Sequence, residues 1–205
     1  MPIQHVAAPT VVTGVLLSGL AYAPDLSATV SPLFDESTDG DLSTDGSAPT
    51  LLDLAIGSNV IEGSVTSNSA APDTRDFFTF TIAPGEELAA ILQLDYSAEN
   101  DDPGFFALVA GSTSANPGGG FANLGGSLIS SEAVGFDHLA QISGGGISSG
   151  TGFSSIGPGT YTFVIQQTGS ETSNYALDFV VVPEPASIAL LAAGLGLGAA
   201  RRRRT

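Results

Sequence analysis

The densest set of potential ligands in this chain is the run Asp35-Glu36-Ser37-Thr38-Asp39-Gly40-Asp41-Leu42-Ser43-Thr44-Asp45-Gly46. Asp35, Asp39, Asp41 and Asp45 offer hard oxygen donors at closely spaced positions, and the interleaved glycines permit a sharp bend, which is the chemistry of a calcium loop. The spacing departs from the twelve-residue calcium loop and lacks its terminal glutamate, so the run also reads as a solvated acidic linker. A second carboxylate group, Asp95, Glu99, Asp101 and Asp102, falls at the tip between two predicted strands. It offers a cation the same donors, although acidic turns form without a ligand.

Nucleophilic chemistry is poorly provided for. Gly146-Ile147-Ser148-Ser149-Gly150 satisfies G-x-S-x-G, but a nucleophile elbow needs a buried strand before it and a helix after it. Here both flanks are glycine- and serine-rich. Apart from His5 in the N-terminal segment expected to be removed, the one histidine available as a base is His138, beside Asp137 on a predicted strand and expected at a sheet surface. Glu86-Glu87 and Asp101-Asp102 are sequence neighbours, whereas glycosidase carboxyls face each other across ~5–10 Å. No phosphate loop, H-E-x-x-H or dinucleotide fingerprint occurs. The expectation is a protein without catalytic residues or a cofactor, calcium being the one ion its side chains suit.

The elements that position these residues lie between two address-like ends. At the C-terminal side, Val182-Pro183-Glu184-Pro185-Ala186-Ser187 leads into the apolar run Ile188 to Ala200, then Arg201, Arg202, Arg203 and Arg204. Four arginines resist crossing a bilayer and remain cytoplasmic, which puts everything before Pro183 outside. As a helix, Ala186 to Ala200 would span roughly 22 Å, short of the ~30 Å hydrocarbon core. A segment so short suits brief insertion followed by removal. A plain anchor, giving a single-pass inner-membrane protein that keeps its tail, is the alternative.

This tripartite tail resembles the PEP-CTERM sorting signal, over residues 182 to 204. The resemblance implies recognition of Val182, Pro183, Glu184 and Pro185 by an exosortase. It further implies export across the inner membrane to the cell envelope, the cell surface or an extracellular matrix, with exopolysaccharide or biofilm as the setting. At the other end, Val11 to Ala23 is apolar and closes on Ala21-Tyr22-Ala23, an A-x-A site for signal peptidase. The segment before it carries no lysine or arginine, Pro24 follows the expected cut, and cleavage after Ala21 is the alternative.

The body has neither cysteine nor lysine, which excludes disulfides and thiolate metal sites. Before Pro183 it carries 20 acidic residues against Arg75 alone, a net of −19 that excludes nucleic acid as a partner. Short β-branched and aromatic runs, punctuated by Gly, Pro, Asn and Asp, predict strands at Thr50–Ile56, Asn59–Val65, Asp76–Ile82, Leu88–Tyr96, Phe105–Ala110, Asp137–Ile142, Thr160–Gln167 and Asn174–Val182. Phe78, Phe80 and Ile82 alternate with Thr79 and Thr81, and Tyr175, Leu177, Phe179 and Val181 share one face. Gly111 to Ser131 and Ser143 to Gly159 read as loops.

The expected fold is all-β, an antiparallel β-sandwich of jelly-roll type, flanked by an N-terminal signal peptide and a C-terminal transmembrane sorting helix. The expected organisation is a signal peptide (1–23), an acidic lead-in (24–49), a β-sandwich (50–182) and the sorting signal (183–205). Asp73-Thr74-Arg75-Asp76-Phe77-Phe78-Thr79-Phe80, Gly159-Thr160-Tyr161-Thr162-Phe163 and Tyr175-Ala176-Leu177 are similar to the bacterial pre-peptidase C-terminal domain. That likeness implies a non-catalytic β-sandwich accessory module, associated with calcium or polymer binding. The expected function is structural or adhesive. A carbohydrate-binding module is the alternative, although the chain has no tryptophan and its aromatics fall mostly in core phase.

Overall fold

The computed structural model describes residues 31–66, 75–98, 100–113, 124–143, 153–169 and 171–184. Among these described residues, nine strands and two short α-helices follow in order: β1 (Phe34–Asp35), α1 (Glu36–Asp39), β2 (Thr50–Leu51), β3 (Val60–Thr66), β4 (Arg75–Ile82), β5 (Glu86–Ala98), β6 (Gly104–Ala110), β7 (Gly125–Ile129), α2 (His138–Ser143), β8 (Gly159–Gln167) and β9 (Thr172–Pro183). They form a four-stranded sheet, β1-β3-β9-β5, and a five-stranded sheet, β2-β4-β8-β6-β7.

The alternation read from the sequence places the core. Phe78 and Phe80 of β4, Phe163 of β8 and Phe106 of β6 are buried on one sheet, facing Ile61, Ile91, Leu177 and Phe179 of the other. Phe179 joins the two layers. Its ring meets Phe78, Phe80 and Phe163 edge-on, with centroids 5.4, 5.5 and 5.2 Å away. Edge-to-face pairs bring the positive rim of one ring to the negative face of the next, adding to the burial energy. The outer face of the five-stranded sheet holds a smaller apolar cluster, Phe77, Phe105, Ala107 and Val164. It forms because Phe77 and Ala107 both lie opposite Val164 in register.

Several expectations need correcting. The sheets are mixed: β1 runs parallel to β3, and β2 parallel to β4. Both are two-residue pairings made by incoming chain, and parallel pairing needs a crossover that no local pattern announces. Of Thr50–Ile56 only Thr50–Leu51 is a strand. The predicted strand Asp137–Ile142 is instead helical, as α2. There His138, Leu139 and Ile142 are buried while Ala140 and Gln141 are exposed, a helical phase. Asp137 starts it by accepting the Leu139 N–H at 3.0 Å.

The stretch Gly111 to Ser131, read as a loop, contains β7. Its glycines weaken the strand signal. Gly126 is required all the same, since a Cβ there would stand 2.6 Å from Phe105 Cζ. The expected signal peptide, and the apolar run 186–200 with Arg201 to Arg204, lie outside the described residues. Among the described residues no helix is long and apolar enough to cross a membrane.

Candidate functional site

Helix α1 is built by its own carboxylates. Asp35 caps it, its Oδ1 accepting the Ser37 N–H at 2.9 Å, and Asp39 Oδ2 accepts the Asp35 N–H at 2.9 Å. Gly40, at φ 93°, ends it in a conformation that glycine adopts without strain. This geometry turns Glu36 inward. Its Oε1 accepts the Leu42 N–H at 3.1 Å and its Oε2 the Ser64 N–H at 2.7 Å, tying α1 to β3. Burial raises the Glu36 pKa above its ordinary 4.5; the two amides oppose the rise and the neighbouring Asp41 adds to it.

Beneath Glu36 lies Asp76 of β4, fully buried, whose Oδ2 accepts the Tyr175 hydroxyl at 2.7 Å. That bond crosses from one sheet to the other. Gly63 makes room for it, since a Cβ there would stand 2.5 Å from Tyr175 Oη and 2.9 Å from Glu36 Cδ. One carboxylate oxygen each from Glu36, Asp41 and Asp76 lies within 4.8 Å of the other two. Glu36 and Asp41 border an open cleft of about 600 Å³, together with Asp35, Glu62, Asp95 and Tyr175, whereas Asp76 is buried and is not among its lining residues. Three hard oxygens from the lead-in and β4 are a donor set for calcium.

Of the four residues singled out in the sequence, the structure brings only Asp41 into this group. Asp35 and Asp39 serve α1. Asp45 holds a turn, its Oδ1 accepting the Ser47 N–H at 2.8 Å and the Ser47 hydroxyl at 2.7 Å, which lowers its pKa. Glu36 and Asp76 were missed. Glu36 was legible within the acidic run, whereas Asp76 arrives from β4 and only the tertiary fold reveals it. The second acidic group divides: Asp95 borders the cleft, Asp101 Oδ1 accepts the Ser131 hydroxyl at 3.0 Å, and Glu99 lies outside the described residues.

His138 is not at a sheet surface. It is wholly buried, its Nε2 is 2.8 Å from Gln93 Oε1, and its ring meets Phe106 edge-on. Gln93 Nε2 donates to the Ser130 carbonyl at 2.7 Å, so Gln93 Oε1 is the acceptor and His138 donates from Nε2. Nδ1 is left bare, with no hydrogen-bond partner among the described residues. Burial lowers its pKa to about 4, against an opposing pull from Asp137. Glu87 Oε2 accepts the Ser155 hydroxyl at 2.8 Å, and residues 146–150 lie outside the described residues.

The C-terminal motif begins inside the fold. Val181, Val182 and Pro183 end β9 opposite Leu88, Glu87 and Glu86, and the Glu184 N–H donates to the Gly85 carbonyl at 2.8 Å. Pro185 and Arg201 to Arg204 lie outside the described residues.

Residues 181–204 match the PEP-CTERM protein-sorting motif. The motif marks an exported, cell-envelope-associated protein sorted by an exosortase. Among solved structures, the chain is similar to the pre-peptidase C-terminal domain of collagenase from Bacillus anthracis. The identity is 17%, with 64% of this chain and 93% of that one covered and a TM-score of 0.32. A likeness that loose carries no argument about this chain. No curated protein matches it.

Proposed function

We propose that this is a non-enzymatic structural or adhesive protein of the cell surface or extracellular matrix, delivered there by its PEP-CTERM motif. The observation that carries the reading is the direct continuation of a core strand into that motif: β9 ends at Pro183, inside the matched residues. A folded β-body joined to a sorting signal is cargo whose use lies where it is delivered. Two features support a role without catalysis. His138 is committed to the core, and Tyr175, which borders the cleft, is buried, as is Tyr96 opposite it in the sheet. The same inward tyrosines disfavour the carbohydrate-binding alternative, which needs exposed rings.

The test is fractionation of cells with and without an active exosortase, with intact-mass analysis of the envelope and released fractions. The reading requires loss of Arg201 to Arg204 and co-fractionation with the matrix only when the enzyme is active. A chain that keeps its arginines in both strains is an inner-membrane protein, and the proposal fails.

A second reading concerns the ligand. The convergence of Glu36, Asp41 and Asp76 favours calcium as an aid to whatever contact the protein makes. A melting shift on calcium addition tests it, as set out in the Discussion.

A further inference from the structure

We propose that the folded sandwich controls access to the sorting signal, because Pro183 and Glu184 are the last rungs of the four-stranded sheet and must be peeled from β5 before an enzyme takes them. The proposal rests on the reading of residues 181–204 as an exosortase signal. Pro183 pairs opposite Glu86 and Val182 opposite Glu87, while the Glu184 amide is held by the Gly85 carbonyl at 2.8 Å. Val182, Pro183 and Glu184 are all half-buried. An enzyme that binds a peptide in extended form needs its backbone edges free, and here the edge facing β5 is already in use.

The geometry also sets where peeling stops. Val181 is buried and gripped from both sides. It pairs with Leu88 of β5, and it exchanges two hydrogen bonds with Gly57, Gly57 N–H to Val181 carbonyl at 2.8 Å and Val181 N–H to Gly57 carbonyl at 3.0 Å. Beyond Val181 the Gly57 contact ends and only the β5 side holds the chain. Pro183 has no N–H to offer a neighbour on its other side. The segment that opens is therefore Val182 to Glu184, while the sandwich behind it stays intact. A single backbone bond shifts such a local equilibrium by roughly three- to tenfold, so holding these rungs should slow capture by about tenfold.

The test follows loss of the C-terminal segment in pulse-chase experiments on full-length chains, in cells with an active exosortase. One variant carries a Gly-Ser-Gly-Ser-Gly-Ser insertion between Val182 and Pro183, freeing the motif from β5. A second combines Glu87→Cys with Val182→Cys, directly opposite positions in a chain without other cysteines, and is followed with and without dithiothreitol. A chain with Pro183→Ala, Glu184→Ala and Pro185→Ala gives the unprocessed baseline.

The expected result is about tenfold faster processing of the insertion variant, and processing of the oxidised cysteine pair at least fivefold slower than of the reduced pair. Equal rates for wild type, insertion and both redox forms would overturn the proposal and leave the sorting reading standing. A slower insertion variant would also overturn it, because the enzyme would then be reading the sheet end itself. Wild type as inert as the triple-alanine chain would remove the sorting reading and this proposal with it.

Discussion

Lowering the pH should unlock the sandwich at His138, and the size of the effect follows from its surroundings. The folded-state pKa of about 4 lies below the ordinary 6.5. Between those values the unfolded chain binds a proton that the folded chain refuses, so stability rises with pH across the window. The contribution is complete above pH 6.5 and is lost progressively as pH falls towards 4. At 1.36 kcal/mol per unit, the loss is about 3 kcal/mol. A added proton would land on Nδ1, buried beside Phe106 with no acceptor among the described residues, while Nε2–H already serves Gln93. Glu36 works the other way: its raised pKa favours the folded state when protonated, and that contribution is lost as pH rises through its folded-state value. Comparing wild type with His138→Gln removes this and every other carboxylate from the comparison. The substitution keeps an amide donor towards Gln93 but cannot titrate. Urea unfolding at pH 7.5, 5.5 and 4 should show wild type losing about 3 kcal/mol more than the variant over that range. Parallel stability–pH curves for the two chains would refute the reasoning.

Other outcomes follow from the same structure. Phe179→Ala removes the ring that three phenylalanines of the opposite sheet pack against, and should cost about 4 kcal/mol in urea unfolding at neutral pH. If Glu36, Asp41 and Asp76 hold calcium with a Kd of about 0.1–1 mM, typical of extracellular modules, 10 mM calcium adds about 1.4–2.7 kcal/mol. That amounts to a rise of roughly 3–10 °C in Tm, and Asp41→Asn, at an exposed position, should abolish most of it. No shift in the wild-type chain would remove calcium from the account. Gly126→Ala drives a methyl group against the Phe106 carbonyl oxygen and the Phe105 ring, and should destabilise the chain by about 1–3 kcal/mol in the same assay.

What the sequence could reveal was governed by how local each signal is. The strands β4 and β9 were legible because alternation with a period of two is written into consecutive residues, which puts Phe78 and Phe179 on core faces. The helix α2 was misread because six residues are too few to separate helical from alternating phase. The decisive clue is Asp137, whose side chain caps the helix, a role that an alternating run of residues does not display. The strand β7 was hidden by Gly125-Gly126, where the missing side chain answers to Phe105 on the neighbouring strand. The parallel pairings of β1 and β2 depend on where the lead-in lands, which no window of sequence encodes. The candidate site obeyed the same rule: Asp41 sits in an evident acidic run, but Asp76 becomes its neighbour only through β4.

The strand β9 places the two notable features of this protein at opposite ends. Tyr175, which binds Asp76 across the sandwich, stands near its start, and Pro183, where the sorting motif takes over, at its finish. Eight residues of extended chain separate them, about 26 Å at 3.3 Å per residue. On the proposed reading, in which the tail is inserted in the membrane before it is cut, the end carrying Gly85 and Pro183 would be the near end and the acidic cleft the far one. That polarity suits a net body charge of −19. The carboxylates of the cleft are kept away from anionic headgroups, which would repel them, and face the surroundings, where divalent cations are drawn to them. A cleft at the near end would be shielded until the tail was removed. At the far end it would be available before and after processing, so on the proposed reading a surface contact made through it would not have to wait for release.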